Sequence, residues 1–244
     1  MTLRFLAMLG ALAPAAAAGP TVEWASGPAR VAVVELFTSE GCSSCPPAER
    51  WLAARVDDPG LWRDFVPVAW HVTYWDRLGW RDRFARPEFT RRQYDYAAAW
   101  HEDSVYTPCW VRNGTEWRPG ADAAAGAPAG RLRVRYDAAA GALHVEYEPP
   151  AGAGTAFAVE AVRLGCGIHS RIRAGENEGR ELAHDFLALA AVQGGLVPGP
   201  GAWTAALYLP PGPDAEVPRQ ALAVWVTRRG SPTPLQAVGG WLEH

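Results

Sequence analysis

Runs of apolar and polar positions divide the first part of the chain into alternating strands and helices. The continuous apolar run Val31–Phe37 predicts a buried strand, and apolar positions at helical spacing predict a helix from Pro46 to about Arg55. A second apolar run, Phe65–Val72, predicts the next strand. Two parallel strands joined by a helix form a right-handed unit, so we expect both strands to end at the same edge of one sheet.

The pattern continues in the same way towards residue 125. The sequence predicts a helix over Pro87–Trp100, a strand at Cys109–Val111 and, beyond the turn Asn113–Gly114, a hairpin strand at Glu116–Arg118. Strand, helix, strand, helix, strand and hairpin strand is a thioredoxin-like order. The closing helix of that order would have to lie in the short segment 121–125.

The remaining chain alternates between apolar and polar positions, which is typical of antiparallel strands that are buried on one face. Strands are predicted at Leu132–Tyr136, Leu143–Tyr147, Phe157–Leu164, Trp203–Leu209, Ala221–Thr227 and Leu235–Trp241. The segment Glu181–Val192 fits either a helix or a strand. We therefore expect an α/β thioredoxin-like N-terminal domain at 29–125, followed by a β-rich C-terminal domain at 130–244 that folds as an antiparallel sandwich.

Composition narrows the range of chemistry. The chain has 244 residues, 49% of them apolar, and a formal charge of −3, which gives no basic surface for nucleic acid. All 23 basic residues are arginine. The absence of lysine excludes Schiff-base catalysis and a Walker-type phosphate loop.

The first 18 residues have the layout of a secretory signal peptide. A single arginine precedes an apolar stretch, and small residues follow up to a cleavage site near Ala18. The alternative is a membrane anchor, but the apolar stretch is shorter than the roughly 20 residues that span a bilayer. We expect a periplasmic or secreted protein, without a membrane span in its mature chain, in a compartment where disulfides persist.

Four sequence blocks resemble a bacterial exported family known as domain of unknown function 1223. They are VVELFTSEGCSSCPPAE, HVTYWDRLGWRDRF, the YTP that ends at Pro108, and GENEGREL at Gly175–Leu182. The resemblance implies a thioredoxin-like fold for the first domain. It further implies that Thr107–Pro108 corresponds to the segment in which a cis proline faces a thiol pair. A polar residue is usual after YTP, whereas this chain has Cys109.

Two cysteines three residues apart lie between the first strand and the first helix. A thiol at a helix N-terminus has a lowered pKa, so we expect Cys42 to be the attacking thiolate and Cys45 to resolve the mixed disulfide. The expected activity is thiol–disulfide exchange with protein thiols or disulfides of an exported partner, without a cofactor. The residues expected to face that substrate are Thr107, Pro108, Trp75 and Asp76.

Two alternatives stay open for the cysteine pair. His71 at the end of the second strand could assist proton transfer, or Cys42, Cys45 and His71 could bind Cu(I) or Zn²⁺ as a metal-binding module. The pair could instead be a structural disulfide in a binding protein that has no catalytic activity.

The sequence gives weaker indications of a functional role for the other cysteines and histidines. Cys109 is expected near the pair as an auxiliary thiol, and it could join Cys166 in a disulfide or leave both thiols free. His101, His169 and His184 fit no metal or nucleophile spacing. We expect them to be solvated or to pair with local neighbours.

Overall fold

The computed structural model describes residues 21–121, 126–210 and 217–242. The predicted signal peptide at 1–18 lies outside these ranges, as do residues 122–125 of the predicted closing helix. None of the helices in the described residues is long and apolar enough to cross a membrane.

Strands make up most of the regular structure. The helices are α1 (Pro46–Ala53) and α2 (Pro87–Trp100), with a 3-10 helix at Thr73–Leu78. The strands are β1 (Thr21–Ala25), β2 (Ala32–Thr38), β3 (Phe65–His71), β4 (Cys109–Arg112), β5 (Thr115–Glu116), β6 (Arg131–Asp137), β7 (Ala142–Glu148), β8 (Phe157–Cys166), β9 (Ile168–Arg171), β10 (Glu181–His184), β11 (Leu187–Gly195), β12 (Val197–Pro198), β13 (Trp203–Tyr208), β14 (Arg219–Arg228) and β15 (Pro234–Trp241).

One eight-stranded sheet runs through both halves of the sequence. Its strand order is β15-β14-β8-β11-β3-β2-β4-β5. The halves meet where β11 pairs in parallel with β3, with Leu187 opposite Ala69, while the other side of β11 pairs with β8. A five-stranded sheet, β1-β6-β7-β13-β12, and the hairpin β9–β10 complete the sheets of the described residues.

The predicted fold class, an α/β thioredoxin-like N-terminal domain followed by a β-rich C-terminal domain, is wrong. The fold is β-rich throughout, and the sheet does not stop at β3 but continues through β11, β8, β14 and β15. The physical reason lies in segment 181–192, for which the sequence left helix and strand open. It folds as β10 and the first part of β11, which supplies the strand that extends the sheet.

Strand β14 shows how the layers are held together, because it is buried on both faces. Leu222 and Val224 pack towards β6 and β7 of the five-stranded sheet, in a core that also contains Val134 and Val145. Ala223 and Trp225 point to the opposite face, into the core that contains Trp70 of β3 and Phe89 of α2. The eight-stranded sheet is therefore the central layer, with the five-stranded sheet on one side and α2 on the other.

A buried ion network fixes α2 against this sheet. Arg92 Nε lies 2.5 Å from Glu35 Oε1, and Arg92 Nη1 lies 2.6 Å from Glu160 Oε2. Trp70 Nε1 donates to Glu35 Oε1 at 2.9 Å, and Tyr96 Oη donates to Glu35 Oε2. Each buried charge therefore has a partner, as burial in a low-dielectric interior requires.

Candidate functional site

Cys42 and Cys45 are joined by a disulfide in the turn between β2 and α1. Cys45 is the N-cap residue of α1, so the pair stands at the beginning of the helix, as the spacing predicts. Both cysteines are wholly buried, whereas Ser43 and Ser44 between them are exposed. The disulfide therefore lies just beneath the surface of the loop that contains it.

The helix offers this disulfide fewer free N–H groups than most helix starts do. Pro46 and Pro47 occupy its first two positions and have no N–H, while the N–H groups of Ala48 and Glu49 both donate to Cys45 O. The polar side chain in contact with the first sulfur is Ser44, whose Oγ lies 3.3 Å from Cys42 Sγ. Ser44 can therefore donate a hydrogen bond to a Cys42 thiolate.

Of the four predicted substrate-facing residues, Trp75 lies beside the cysteine loop and binds the segment that contains Thr107 and Pro108. The Thr107–Pro108 peptide bond is cis, the isomer that the resemblance implied. Trp75 Nε1 donates to Thr107 Oγ1 at 2.7 Å, and a Cβ placed on Gly41 would lie only 3.1 Å from Trp75 Cβ. Trp75 therefore bridges the loop before Cys42 and the segment that contains Pro108.

Asp76, the fourth of these residues, has a different environment. Its Oδ1 accepts a hydrogen bond from the backbone N–H of Asp82 at 3.1 Å. Partial burial raises the pKa of Asp76 above its ordinary value, with the Asp82 carboxylate adding to the effect. In this arrangement Asp76 fixes the loop that carries Asp82.

Residues 173–180, between β9 and β10, cover the cysteine loop, and we call them the covering segment. Its buried residue Asn177 donates through Nδ2 to Glu40 O at 2.9 Å and to Cys42 O at 3.0 Å. Glu176 Oε2 accepts from Ser43 N at 3.2 Å and from Ser43 Oγ at 2.7 Å. The sequence block GENEGREL marked this segment, but no signal in the sequence placed it over the cysteines.

His71 lies behind the disulfide loop in a fully buried position. Its Nδ1 lies 2.7 Å from Asp82 Oδ2, and its ring contacts Phe84 and His184. Burial opposes ionisation of Asp82, but His71 and the N–H groups of Glu40 and Phe84 lower its pKa to about 2. The Asp82 carboxylate is therefore an acceptor, so Nδ1 of His71 carries the hydrogen.

His184, which was expected to be solvated or locally paired, is also buried beside this group. Its Nδ1 lies 2.8 Å from Glu49 Oε2, and its Nε2 lies 3.3 Å from Glu40 Oε1. Burial opposes its charge, but the Glu40 and Glu49 carboxylates raise the pKa of His184 to about 10. The alternating burial of β10, in which Leu182 and His184 point inward, is the sequence signal that could have found it.

Cys109 and Cys166 are both buried free thiols, so the bond between them that the sequence left open is not formed. Burial raises the pKa of Cys109 to about 11 and that of Cys166 to about 12. Cys166 Sγ accepts a hydrogen bond from Phe186 N at 3.2 Å. At neutral pH both side chains are therefore protonated packing residues.

Two solved structures resemble the whole arrangement. The crystal structure of protein AGR_C_4864 from Agrobacterium tumefaciens has a TM-score of 0.57 and 23% identity, over 90% of this chain and all of its own. HBP35 of Porphyromonas gingivalis has a TM-score of 0.56 and 13% identity, over 88% of this chain and 76% of its own. At these identities the likeness shows a shared fold alone.

No curated protein matches the chain. A family match covers residues 33–227, from β2 to β14, and therefore includes the disulfide, the covering segment and the buried histidines. The family is described as a protein of unknown function, DUF1223. The chain belongs to the DUF1223 family.

Proposed function

We propose that this protein is an exported thiol–disulfide oxidoreductase that acts through Cys42 and Cys45. The observation that carries the proposal is the closed disulfide at the start of α1, with the Ser44 hydroxyl 3.3 Å from Cys42 Sγ. A hydroxyl at this distance stabilises a thiolate more than a thiol, and the positive end of the helix adds to that preference. Export rests on the signal-peptide pattern of residues 1–18.

The reaction needs only one dithiol and one disulfide. In the reducing direction, the Cys42 thiolate attacks a partner disulfide, forms a mixed disulfide and releases one partner thiolate. The Cys45 thiolate then attacks Cys42 Sγ, closes the Cys42–Cys45 bond and releases the second partner thiolate. Two electrons pass from the cysteine pair to the partner, and the reverse sequence oxidises a partner dithiol.

The surface beside the cysteine loop suits an extended protein partner. Trp75 contacts Thr107, and half of the surface of the preceding residue, Tyr106, is exposed. The Thr107 hydroxyl is held by Trp75 and the Tyr106 carbonyl by Gln93, so we assign contact with a partner chain to the backbone of Thr107. A protein thiol or disulfide in an extended segment is accordingly the proposed substrate class.

Because Cys42 Sγ and Cys45 Sγ are buried, exchange with a protein partner requires a local movement. Because Asn177 and Glu176 fasten the covering segment over the loop, exchange with a protein partner needs that segment to move aside. The Glu176 contacts lie at the exposed surface, where such hydrogen bonds exchange readily with water.

Reduction of insulin and oxidation of a dithiol peptide test the proposal directly. The wild-type protein is expected to catalyse at least one of the two reactions, and Cys42→Ser is expected to abolish it. Cys45→Ser is expected to accumulate a mixed disulfide through Cys42, while Cys109→Ser serves as the matched control and keeps its activity. Activity that survives Cys42→Ser would overturn the proposal.

A second candidate function is a binding protein in which the disulfide is purely structural. The complete burial of Cys42 and Cys45 favours it, since a sulfur that no partner reaches cannot exchange. Such a bond would stay closed with a dithiol reductant until the protein unfolds. Reduction of the native protein without loss of its near-ultraviolet circular dichroism would exclude this candidate.

A further inference from the structure

A cluster of buried ionisable side chains lies behind the disulfide and is not used in thiol exchange. It contains two imidazoles and three carboxylates, namely His71, His184, Glu40, Glu49 and Asp82. All five are less than 10% exposed. Buried carboxylates and imidazoles need partners, and a bound metal ion is one kind of partner.

Three residues of this cluster place ligand atoms close to one another. Glu49 of α1, His71 at the end of β3 and His184 at the end of β10 each offer one such atom, and the three atoms lie within 4.8 Å of one another. Ligand atoms that are each about 2 Å from one metal ion lie roughly 3 to 4 Å apart, so a small movement of these side chains would bring all three atoms round one ion.

Besides these distances, the unpaired Nε2 atom of His71 points to a bound ligand. Its Nε2 is buried and has no hydrogen-bond partner among the described residues, although a buried polar atom is normally satisfied. Because Nδ1 carries the hydrogen that is donated to Asp82, the neutral ring has a lone pair on Nε2. A metal ion would use that lone pair.

The surrounding carboxylates have the positions that support metal-bound histidines. Asp82 holds Nδ1 of His71 at 2.7 Å in this way. Nε2 of His184 lies 3.3 Å from Glu40 Oε1 without a hydrogen bond. Nδ1 of His184 lies 2.8 Å from Glu49 Oε2, and a zinc ion would displace the proton that these two groups share. Carboxylates on the second nitrogen orient such rings and raise their affinity for the metal.

We propose that Glu49, His71 and His184 form a binding site for one Zn²⁺ ion behind the Cys42–Cys45 loop. Two imidazoles and a carboxylate are a common zinc donor set. The site differs from the metal set considered from sequence, because it uses neither cysteine and exists while the disulfide is closed. Its Glu49 ligand follows Cys45 by one helical turn, and the Glu49 N–H donates to Cys45 O at 3.1 Å.

Metal retention by the tag-free, disulfide-closed full chain tests this site. The protein is unfolded with a chelator present, refolded with ZnCl₂, desalted and assayed by elemental analysis. We expect about one Zn²⁺ per chain, falling at least tenfold in His71→Ala and His184→Ala. His144→Ala, which removes an exposed histidine of β7, is the matched control and should keep its zinc.

Cobalt provides the measurement that does not depend on the folding of a variant. Wild-type protein refolded with CoCl₂ should show the visible bands of low-coordinate Co²⁺ without a thiolate charge-transfer band, because no cysteine is a ligand. Glu49→Gln keeps the size of the side chain and should weaken binding. Wild-type protein that retains neither zinc nor cobalt, or a spectrum with a thiolate band, would overturn the proposal.

Discussion

Ser44 is the residue whose side chain most directly affects the chemistry of Cys42. Prolines at the first two positions of α1 remove N–H groups that would otherwise stabilise a thiolate, and the next two N–H groups are used by Cys45 O. The Ser44 hydroxyl is therefore the donor to a Cys42 thiolate, in place of the N–H groups of the first helical turn. Its contribution should be measurable once the disulfide is reduced.

Substituting Ser44 by alanine should raise the pKa of Cys42 in the reduced protein. A hydrogen bond to a charged group contributes about 1.5–3 kcal/mol, so we expect an increase of roughly one to two pKa units. The measurement is the ultraviolet absorbance of the thiolate as a function of pH. Ser43→Ala is the control, since the Ser43 hydroxyl donates to Glu176. Equal pKa values in Ser44→Ala and wild type would contradict this role.

Single residues also show what the sequence could and could not reveal. The spacing of Cys42 and Cys45 between an apolar run and a double proline was enough to place the disulfide at a helix start. Alternation along β10 could have shown that His184 points inward, but not that it pairs with Glu49, which is 135 residues away along the chain. Pairing over such a distance depends on how strands pack, which no local pattern contains.

The covering segment is the element that controls access to the disulfide. Asn177 packs a fully buried amide against the cysteine loop, and Arg180 Nη1 donates to Asn177 Oδ1 at 2.9 Å. The two bonds from Nδ2 join the segment to the backbone on both sides of Gly41, although Cys42 O also accepts from Cys45 N at 3.2 Å. Loss of this side chain should therefore loosen the segment as a whole.

Asn177→Ala should accelerate reduction of the native disulfide by dithiothreitol. We expect the rate to rise about tenfold, since two hydrogen bonds worth about 1 kcal/mol each hold the segment closed and part of this energy is recovered by water. Free-thiol release measured under native conditions gives the rate. Glu178→Gln, an exposed substitution in the same segment, should react like wild type. A rate unchanged by Asn177→Ala would mean that the segment does not limit access.

Helix α2 illustrates how an element can be predicted while its attachment is not. Its bounds, Pro87–Trp100, are those that the apolar spacing and the initial proline predicted. The sequence did not show that Arg92 points into the protein, because an arginine on a helix is usually solvated. In the structure it lies between Glu35 and Glu160.

Arg92→Met should destabilise the protein by about 3–5 kcal/mol, because it leaves two buried carboxylates without their partner. Urea unfolding followed by tryptophan fluorescence measures the loss. Arg91→Met is the matched control, since Arg91 is exposed on the same helix, and its effect should stay within about 0.5 kcal/mol. Equal stabilities of the two variants would show that the network contributes nothing.

At the scale of the whole molecule, the central sheet contains strands from both halves of the chain, which the sequence pattern assigned to separate domains. The order of the strands and α-helices from β2 to β5 was visible from periodicity, and so were most strands of the second half, whereas β1 and the 3-10 helix were not predicted. The pairing of β11 with β3 was not visible, because a single parallel contact between distant strands leaves no periodic signature. That pairing turns two expected folding units into one continuous sheet.

Unfolding should consequently occur in one cooperative transition. Strands from both sides of residue 126 share the eight-stranded sheet, so neither side can lose its strands without exposing the edge and core of the other. Far-ultraviolet circular dichroism and tryptophan fluorescence should give the same urea midpoint. Two separate midpoints would contradict this coupling.

The reduction potential of the Cys42–Cys45 disulfide tests the central claim most directly. It is measured by equilibrating the full chain with glutathione or dithiothreitol buffers and quantifying the reduced form by alkylation. A pair that exchanges with protein thiols should have a potential above about −300 mV, in the range of catalytic disulfides. A potential well below about −300 mV would identify a structural bond and contradict the proposed oxidoreductase activity.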